Sequence, residues 1–196
     1  MDTRNLILVY YEGAYRIAQY GQWDGYPSGQ GVKILAFIAD PTRLTALKKA
    51  LDNNLAYFPT KEQFERLEGK PLEEVPSLSR DTAAGILDLV ANAAEPVPLV
   101  DETEFMADTL FCEWAYVVDL DEEVFEVYSS WENLQAQESD RFEAANPMVG
   151  RWAFAELPSE DTFLASLQRE RSDGAIEHTS SGCRYRSHCP HMIETC

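Results

Sequence analysis

Three kinds of residue are scarce in this chain of 196 residues, and each scarcity excludes something. Histidine occurs three times, always after residue 177, so catalysis by a histidine base would need the C-terminal end to fold back onto the body. Lysine and arginine total 16 against 34 aspartates and glutamates, a formal net charge of −18. A groove for a nucleic-acid backbone needs clustered cations, so direct phosphate-backbone binding is excluded. The acidic residues are dispersed along the chain, which fits a solubilising surface better than a mimic of spaced phosphates. The four cysteines have no framework spacing, which predicts a reducing, cytoplasmic setting. No apolar run is long enough to cross a bilayer, so no membrane contact is expected. The opening residues MDTRNLILVYY carry no charged region ahead of a small-residue cleavage site, and no secretory signal is expected.

What the chain has is apolar mass and one dense loop. Hydrophobic residues make up 45%, enough for a core, and the length suits one domain. Residues 19–31, QYGQWDGYPSGQG, hold four glycines, three glutamines, two tyrosines, a tryptophan, an aspartate and a proline. A connector needs turn residues only. This one adds aromatic faces and side-chain amides, the groups that stack on a polar ligand and read its donors and acceptors.

The pattern predicts a hairpin from Leu6–Tyr11 and Tyr15–Tyr20, turning at Glu12-Gly13. Ser28 has the chemistry to cap a helix carrying Val32, Leu35, Phe37 and Ile38. Asp40-Pro41 starts a second helix, and Thr60 with Gln63 has capping-box spacing for a third. A helix over 79–94 follows, then a proline-bearing loop. A second hairpin runs over 111–128, with Trp114, Tyr116, Val118 and Leu120 on one face. Beyond it a helix is expected over 132–145, an edge strand over 151–157, and a last helix introduced by Pro158-Ser159. The expectation is one α+β domain over residues 1–171, an antiparallel sheet containing two hairpins and covered by helices. Residues 172–196 form a separate tail holding all three histidines and three of the four cysteines.

Each constellation has a functional and a plain reading. In the loop, Gln19, Gln22, Asp24 and Gln30 would read a ligand. Tyr20, Trp23 and Tyr26 would stack on it, while Ser28 and the amides around Gly29 would receive negative charge. The plain alternative is a rigid turn whose amides satisfy buried backbone. Arg4 and Asp24 would form a clamp for a carboxylate or phosphate, or else a structural ion pair. Asp119 and Asp121 share a strand face but lack an EF-hand pattern, so an acidic turn is favoured over a metal site. Cys112 reads as a small apolar core residue. The tail's Cys183, Cys189 and Cys196 lack a tight CxxC pair, and no metal ligand is assigned. No Walker loop or dinucleotide fingerprint occurs, and no cofactor is specified.

The segments TRNL at 3–6, AQYGQWDGYPSGQG at 18–31 and FCEWAYVVDLD at 111–121 resemble a family of uncharacterised proteins seen in fungi, bacteria and phages. The opening is also similar to the N-terminal hairpin of choloylglycine-hydrolase-like Ntn amidases. Met1-Asp2-Thr3 stands where those enzymes have Met-Cys-Thr, and Asp24 stands at the end of the second strand. Asp2 replaces the nucleophilic cysteine, so the resemblance implies an Ntn-like layered fold rather than that chemistry.

Together these features predict a cytosolic small-ligand protein. In its enzymatic form it is a small transferase or hydrolase acting on an amide, acyl or nucleotide-like substrate, with Asp24 moving a proton. The alternatives are a non-catalytic binder of the same ligand and an acidic module that engages a protein partner.

Overall fold

The computed structural model describes residues 3–67, 69–108, 110–130, 141–142 and 146–168. The chain is α+β, with a five-stranded mixed sheet at its centre. Strands β1 (Asn5–Tyr11) and β2 (Ala14–Gly21) form the first hairpin, turning at Glu12-Gly13. Both turn residues take positive φ, 52° and 76°. Strands β5 (Trp114–Asp119) and β6 (Val124–Ser129) form the second hairpin, and β7 (Met148–Ala153) adds to it. All three of these pairings are antiparallel, as hairpin connections require, but the sheet as a whole is mixed rather than antiparallel. The hairpins join through β1 and β5, which run parallel with Ile7 opposite Tyr116. The strand order is β2-β1-β5-β6-β7. A second, two-stranded sheet pairs β3 (Ala56–Tyr57) with β4 (Val97–Pro98).

Parallel pairing of β1 and β5 brings both hairpin turns to one end of the sheet. The Asp121 carboxylate accepts from the Glu12 and Gly13 amides at 2.8 and 2.9 Å. The starts of β1 and β5 meet at the opposite end, where the 19–31 loop leaves β2.

The sheet is buried on both faces. Ile7, Val9, Trp114, Tyr116, Val118, Phe125 and Val127 face a layer of helices. These are α1 (Val32–Ile38), α2 (Pro41–Asp52), α4 (Gly85–Ala91) and α5 (Glu160–Ser166), which supply Ile34, Leu47, Leu87 and Phe163 to the same cluster. Each such side chain contributes about 1.5–3 kcal/mol on burial. The other face packs Leu6, Leu8, Ala115, Val117 and Tyr128 with Met106 and Cys112. Cys112 is therefore a core residue, and burial pushes its thiol up to about 12.

Local signals explain the helix ends. The Asp40 carboxylate accepts from the Thr42 and Arg43 amides. Thr60 and Gln63 cap α3 (Lys61–Leu67) reciprocally, and Ser159 accepts from the Thr162 amide. Two expectations need correction. Ser28 caps nothing: it lies exposed inside a five-residue π-helical turn, Pro27–Gly31, that leads directly into α1. The helix expected over 79–94 is only α4, because residues 79–84 are held as a loop against β2. The edge strand expected over 151–157 occurs as β7 at 148–153. The expected helix over 132–145 and the 172–196 tail lie outside the described residues, apart from Arg141 and Phe142. No helix among the described residues is long and apolar enough to cross a membrane.

Candidate functional site

The 19–31 loop is drawn tightly against the start of β1. A Cβ added at Gly25 would sit 2.5 Å from the Thr3 carbonyl oxygen, and one at Gly29 would sit 2.2 Å from the Asp24 carbonyl oxygen. These two positions need glycine because backbone passes backbone there, not because φ is positive. The freed amides are used internally. Gly25 donates to the Thr3 carbonyl at 2.9 Å, Gln30 to the Asp24 carbonyl at 2.9 Å, and Gly29 and Gly31 to that of Tyr26. An anion cradle built from these four amides, which the glycine pattern suggested, is therefore already filled by the loop's own carbonyls.

The side-chain amides follow the same rule. Gln30 is buried; its Nε2 donates to the Trp23 carbonyl at 3.1 Å and its Oε1 accepts from the Ala84 amide at 3.2 Å. Gln19 is buried too, and its Nε2 donates to the carbonyls of Tyr20 and Ser79. Asn5 reaches in from β1, its Nδ2 donating to the carbonyls of Gly21 and Trp23. Below the loop, the Tyr116 hydroxyl donates to the Gly25 carbonyl at 2.7 Å. Burial drives the Tyr116 pKa well up, which keeps that proton in place. Loop polar groups are thus satisfied by a network joining β1, β2, β5 and the 79–84 segment.

The outer face differs. Trp23 is 47% exposed, yet its indole Nε1 donates to the Asp81 carboxylate at 2.9 Å. Its carbonyl is gripped by both Asn5 and Gln30. Asp24 and Ser28 are exposed, and Tyr26 is half-buried. The Gln22 Oε1 accepts from the Tyr20 hydroxyl and from Arg80, at 3.0 and 3.1 Å. The Tyr20 ring packs edge-on against Phe105.

No protein-family model, curated protein sequence or solved structure matches this chain. The site therefore has to be read from its own geometry. Backbone strain marks it. Among the described residues, five non-glycine residues have positive φ. Glu12 and Glu123 are in hairpin turns and Asn54 follows a helix, which are ordinary places for it. Asp24, at 54°, and Ala83, at 40°, are not. They lie on the two loops that Gln30 and the Trp23–Asp81 bond tie together. Strained residues held by their surroundings concentrate at functional sites.

Arg4 and Asp24 do not form an ion pair among the described residues. The Arg4 guanidinium lies over the Phe111 ring, 4.6 Å from its centroid, and the Arg4 amide donates to Glu113 at 3.3 Å. Residue parity explains the separation: Arg4 precedes β1 on the side of Leu6 and Leu8, whereas Asn5 reaches the loop from the side of Ile7. Among the described residues no group of three His, Cys, Asp or Glu side chains is arranged to hold a metal. Asp119 closes its turn by accepting from the Asp121 and Glu122 amides, and its second oxygen pairs with Arg141.

Sequence reasoning missed Arg80 and Asp81, which fix the exposed face of the loop. The only signal was their position after Ser79, where a helix start was expected. It also missed the charge cluster on the second sheet face. There Glu126 accepts from Arg141, Arg151 and the Tyr128 hydroxyl, and the Arg141 guanidinium lies 5.0 Å from the Tyr10 ring centroid. Burial alone would lower the Arg141 pKa, but its bond to Asp119 and the charge of Glu126 raise it overall.

Proposed function

We propose that this protein binds a small planar polar molecule on the outer face of the 19–31 loop. The observation that carries the reading is Trp23, half-exposed and yet fixed by a bond to Asp81 and by two amides on its carbonyl. A tryptophan ordered at the surface offers a stacking face whose orientation is fixed before the ligand arrives. Asp24 beside it is exposed and supplies acceptor oxygens. The ligand chemistry that fits is a flat ring bearing N–H donors, such as a nucleobase or an aromatic amide. A phosphorylated ligand fits poorly on a chain of charge −18 whose loop amides are already engaged.

Binding without turnover is the version this geometry favours. Asp24 has no nucleophile within hydrogen-bond reach among the described residues. Thr3, the residue closest to the start of the hairpin similar to Ntn amidases, is fully buried.

The test is a tryptophan-fluorescence and calorimetric titration with adenosine and nicotinamide as probes, alongside native mass spectrometry for a co-purified ligand. Saturable binding that disappears in Trp23→Ala, with the melting transition unchanged, supports the reading. Binding indifferent to Trp23→Ala, or none by any of these measurements, removes it.

A further inference from the structure

Among the described residues the chain lays an arginine over an aromatic ring three times: Arg4 on Phe111, Arg43 on Phe37 and Arg141 on Tyr10. Trp23 has neither a cation nor a second ring against it among those residues. Indole is the ring that attracts a cation most strongly. This one is 47% exposed, and its Nε1–H donates to the Asp81 carboxylate at 2.9 Å. A carboxylate on the N–H polarises the indole and makes its face more negative. Asp81 spends only Oδ1 on that bond. Its second oxygen and both side-chain oxygens of Asp24 have no hydrogen bond or ion pair among the described residues. Arg80, the cation next to Asp81 in the chain, donates from Nη1 to the Gln22 Oε1 at 3.1 Å and to neither carboxylate. The fixed indole is therefore flanked by two carboxylates that no cation of the described chain pairs.

We infer that the ligand of this face carries a positive charge: it is a planar heteroaromatic cation of the pyridinium type, stacked on Trp23 with its charge facing Asp24 and Asp81. The inference rests on the planar-ligand reading above and narrows it. A neutral ring would gain the stacking but leave both carboxylates unpaired, on a chain of net charge −18. An aliphatic ammonium would gain the charge but cover little of the indole face, and it holds its water more tightly than a delocalised cation does. An anionic ring would be repelled by both carboxylates.

The experiment follows the Trp23 indole Nε1–H resonance of the whole chain during titration with 1-methylnicotinamide, nicotinamide and 5-methylnicotinamide, the last a neutral ring of matched size. At about 20 mM salt the cation is expected to bind about tenfold more tightly than either neutral ring, and at about 500 mM salt that ratio should fall to about two. Asp81→Asn keeps an acceptor for the indole and removes one charge, so it should cut the ratio about threefold. Asp24→Asn should do the same, since asparagine tolerates the left-handed backbone there. Arg80→Gln should raise the ratio. Glu123→Gln, at the far end of the sheet, should leave it unchanged, which separates local carboxylates from net charge. Trp23→Ala, followed by calorimetry, should abolish saturable binding of all three probes. Equal affinity for charged and neutral rings overturns the inference and leaves the planar-ligand reading standing, as does a preference that survives both asparagine variants or falls as far in Glu123→Gln. Absence of saturable binding by any probe, or binding that survives Trp23→Ala, removes both.

Discussion

Replacing Gln30 by alanine tests whether the 19–31 loop is held from inside. The side chain is 5% exposed and bridges the Trp23 carbonyl and the Ala84 amide. Its loss leaves the Ala84 amide buried and unpaired, which costs about 1–3 kcal/mol. The Trp23 carbonyl keeps only the long 3.4 Å bond from Asn5, and the packing of one buried methylene and of the carboxamide goes as well. Partial entry of water lowers the sum, leaving a destabilisation of about 2–4 kcal/mol. With a urea slope of about 2 kcal/mol/M, the denaturation midpoint should fall by about 1–2 M. Gln22→Ala is the control: its amide serves a more exposed contact with Arg80 and Tyr20 and should cost under about 1 kcal/mol. Gln30→Glu adds a pH signature. The carboxylate can accept from Ala84 but cannot donate to Trp23, whereas the protonated acid can do both. That variant's folded-state acid is thus harder to ionise than its unfolded one, so its stability should fall as pH rises through the carboxylate range near about 4. A Gln30→Ala midpoint within about 0.3 M of the parent, or one shifted no more than Gln22→Ala, would refute the internal-bridge argument.

Three further outcomes follow from other parts of the molecule. Asp24→Gly relieves a left-handed backbone at an exposed position, so thermal unfolding should be unchanged or up to about 1 kcal/mol more favourable to the folded state. The adenosine or nicotinamide binding proposed above should weaken in the same variant, a split that a purely structural aspartate would not give. Arg141→Met leaves the Asp119 side chain, 2% exposed, without its cation and Glu126, 6% exposed, with Arg151 alone, and should destabilise by about 3 kcal/mol in chemical denaturation. Adding Asp119→Asn should recover part of that loss. The Cys112 thiol, raised to about 12 in the fold, is harder to ionise there than in the unfolded chain. Its contribution is intact below about pH 8.5 and is lost as pH rises toward 12, by up to about 1.4 kcal/mol per unit; Cys112→Ala should flatten that slope in denaturation curves taken across alkaline pH.

The parts of the fold legible in the sequence are those set by neighbours along the chain. Asp40-Pro41, the Thr60–Gln63 box and Ser159 each close their own local hydrogen bonds, Glu12-Gly13 turns the chain through two positive φ angles, and each marks a turn or helix end in the structure. Parallel pairing of β1 with β5 was not legible, because central strands buried on both faces carry no mark of which edge meets which. The short α4 was not legible either. Propensity favoured helix from Ser79 onward, but the Ser79 and Arg80 carbonyls are taken by Gln19 and by the Gln22 amide, and Ala83 is held at positive φ. The charge cluster was hidden for a similar reason. Asp119 and Glu126 read as surface acids until Arg141 and Arg151, far along the chain, are brought to them.

The candidate site divides along the same line. Composition marked the 19–31 loop as unusual, but composition cannot say which way a side chain points. Gln19 and Gln30, chosen for their capacity to read a ligand, are spent on carbonyls of the chain itself. Trp23, an aromatic residue that hydrophobicity alone would bury, is the side chain left outside. The two facts are linked. An exposed indole on a mobile loop would lose rotational freedom on binding, which weakens association by about 0.5–1.5 kcal/mol per ordered side chain. Here that ordering is completed during folding by Asn5, Gln30 and Asp81, at the expense of strain at Asp24 and Ala83. A loop required only to turn the chain from β2 into α1 has no need to hold two residues at positive φ in order to present a tryptophan to solvent. Relaxing that strain without touching Trp23, through Ala83→Gly, should therefore leave stability equal or higher and loosen the indole. The readout is a lower Trp23 fluorescence anisotropy together with weaker probe binding; unchanged anisotropy would mean that the strain is incidental to the site.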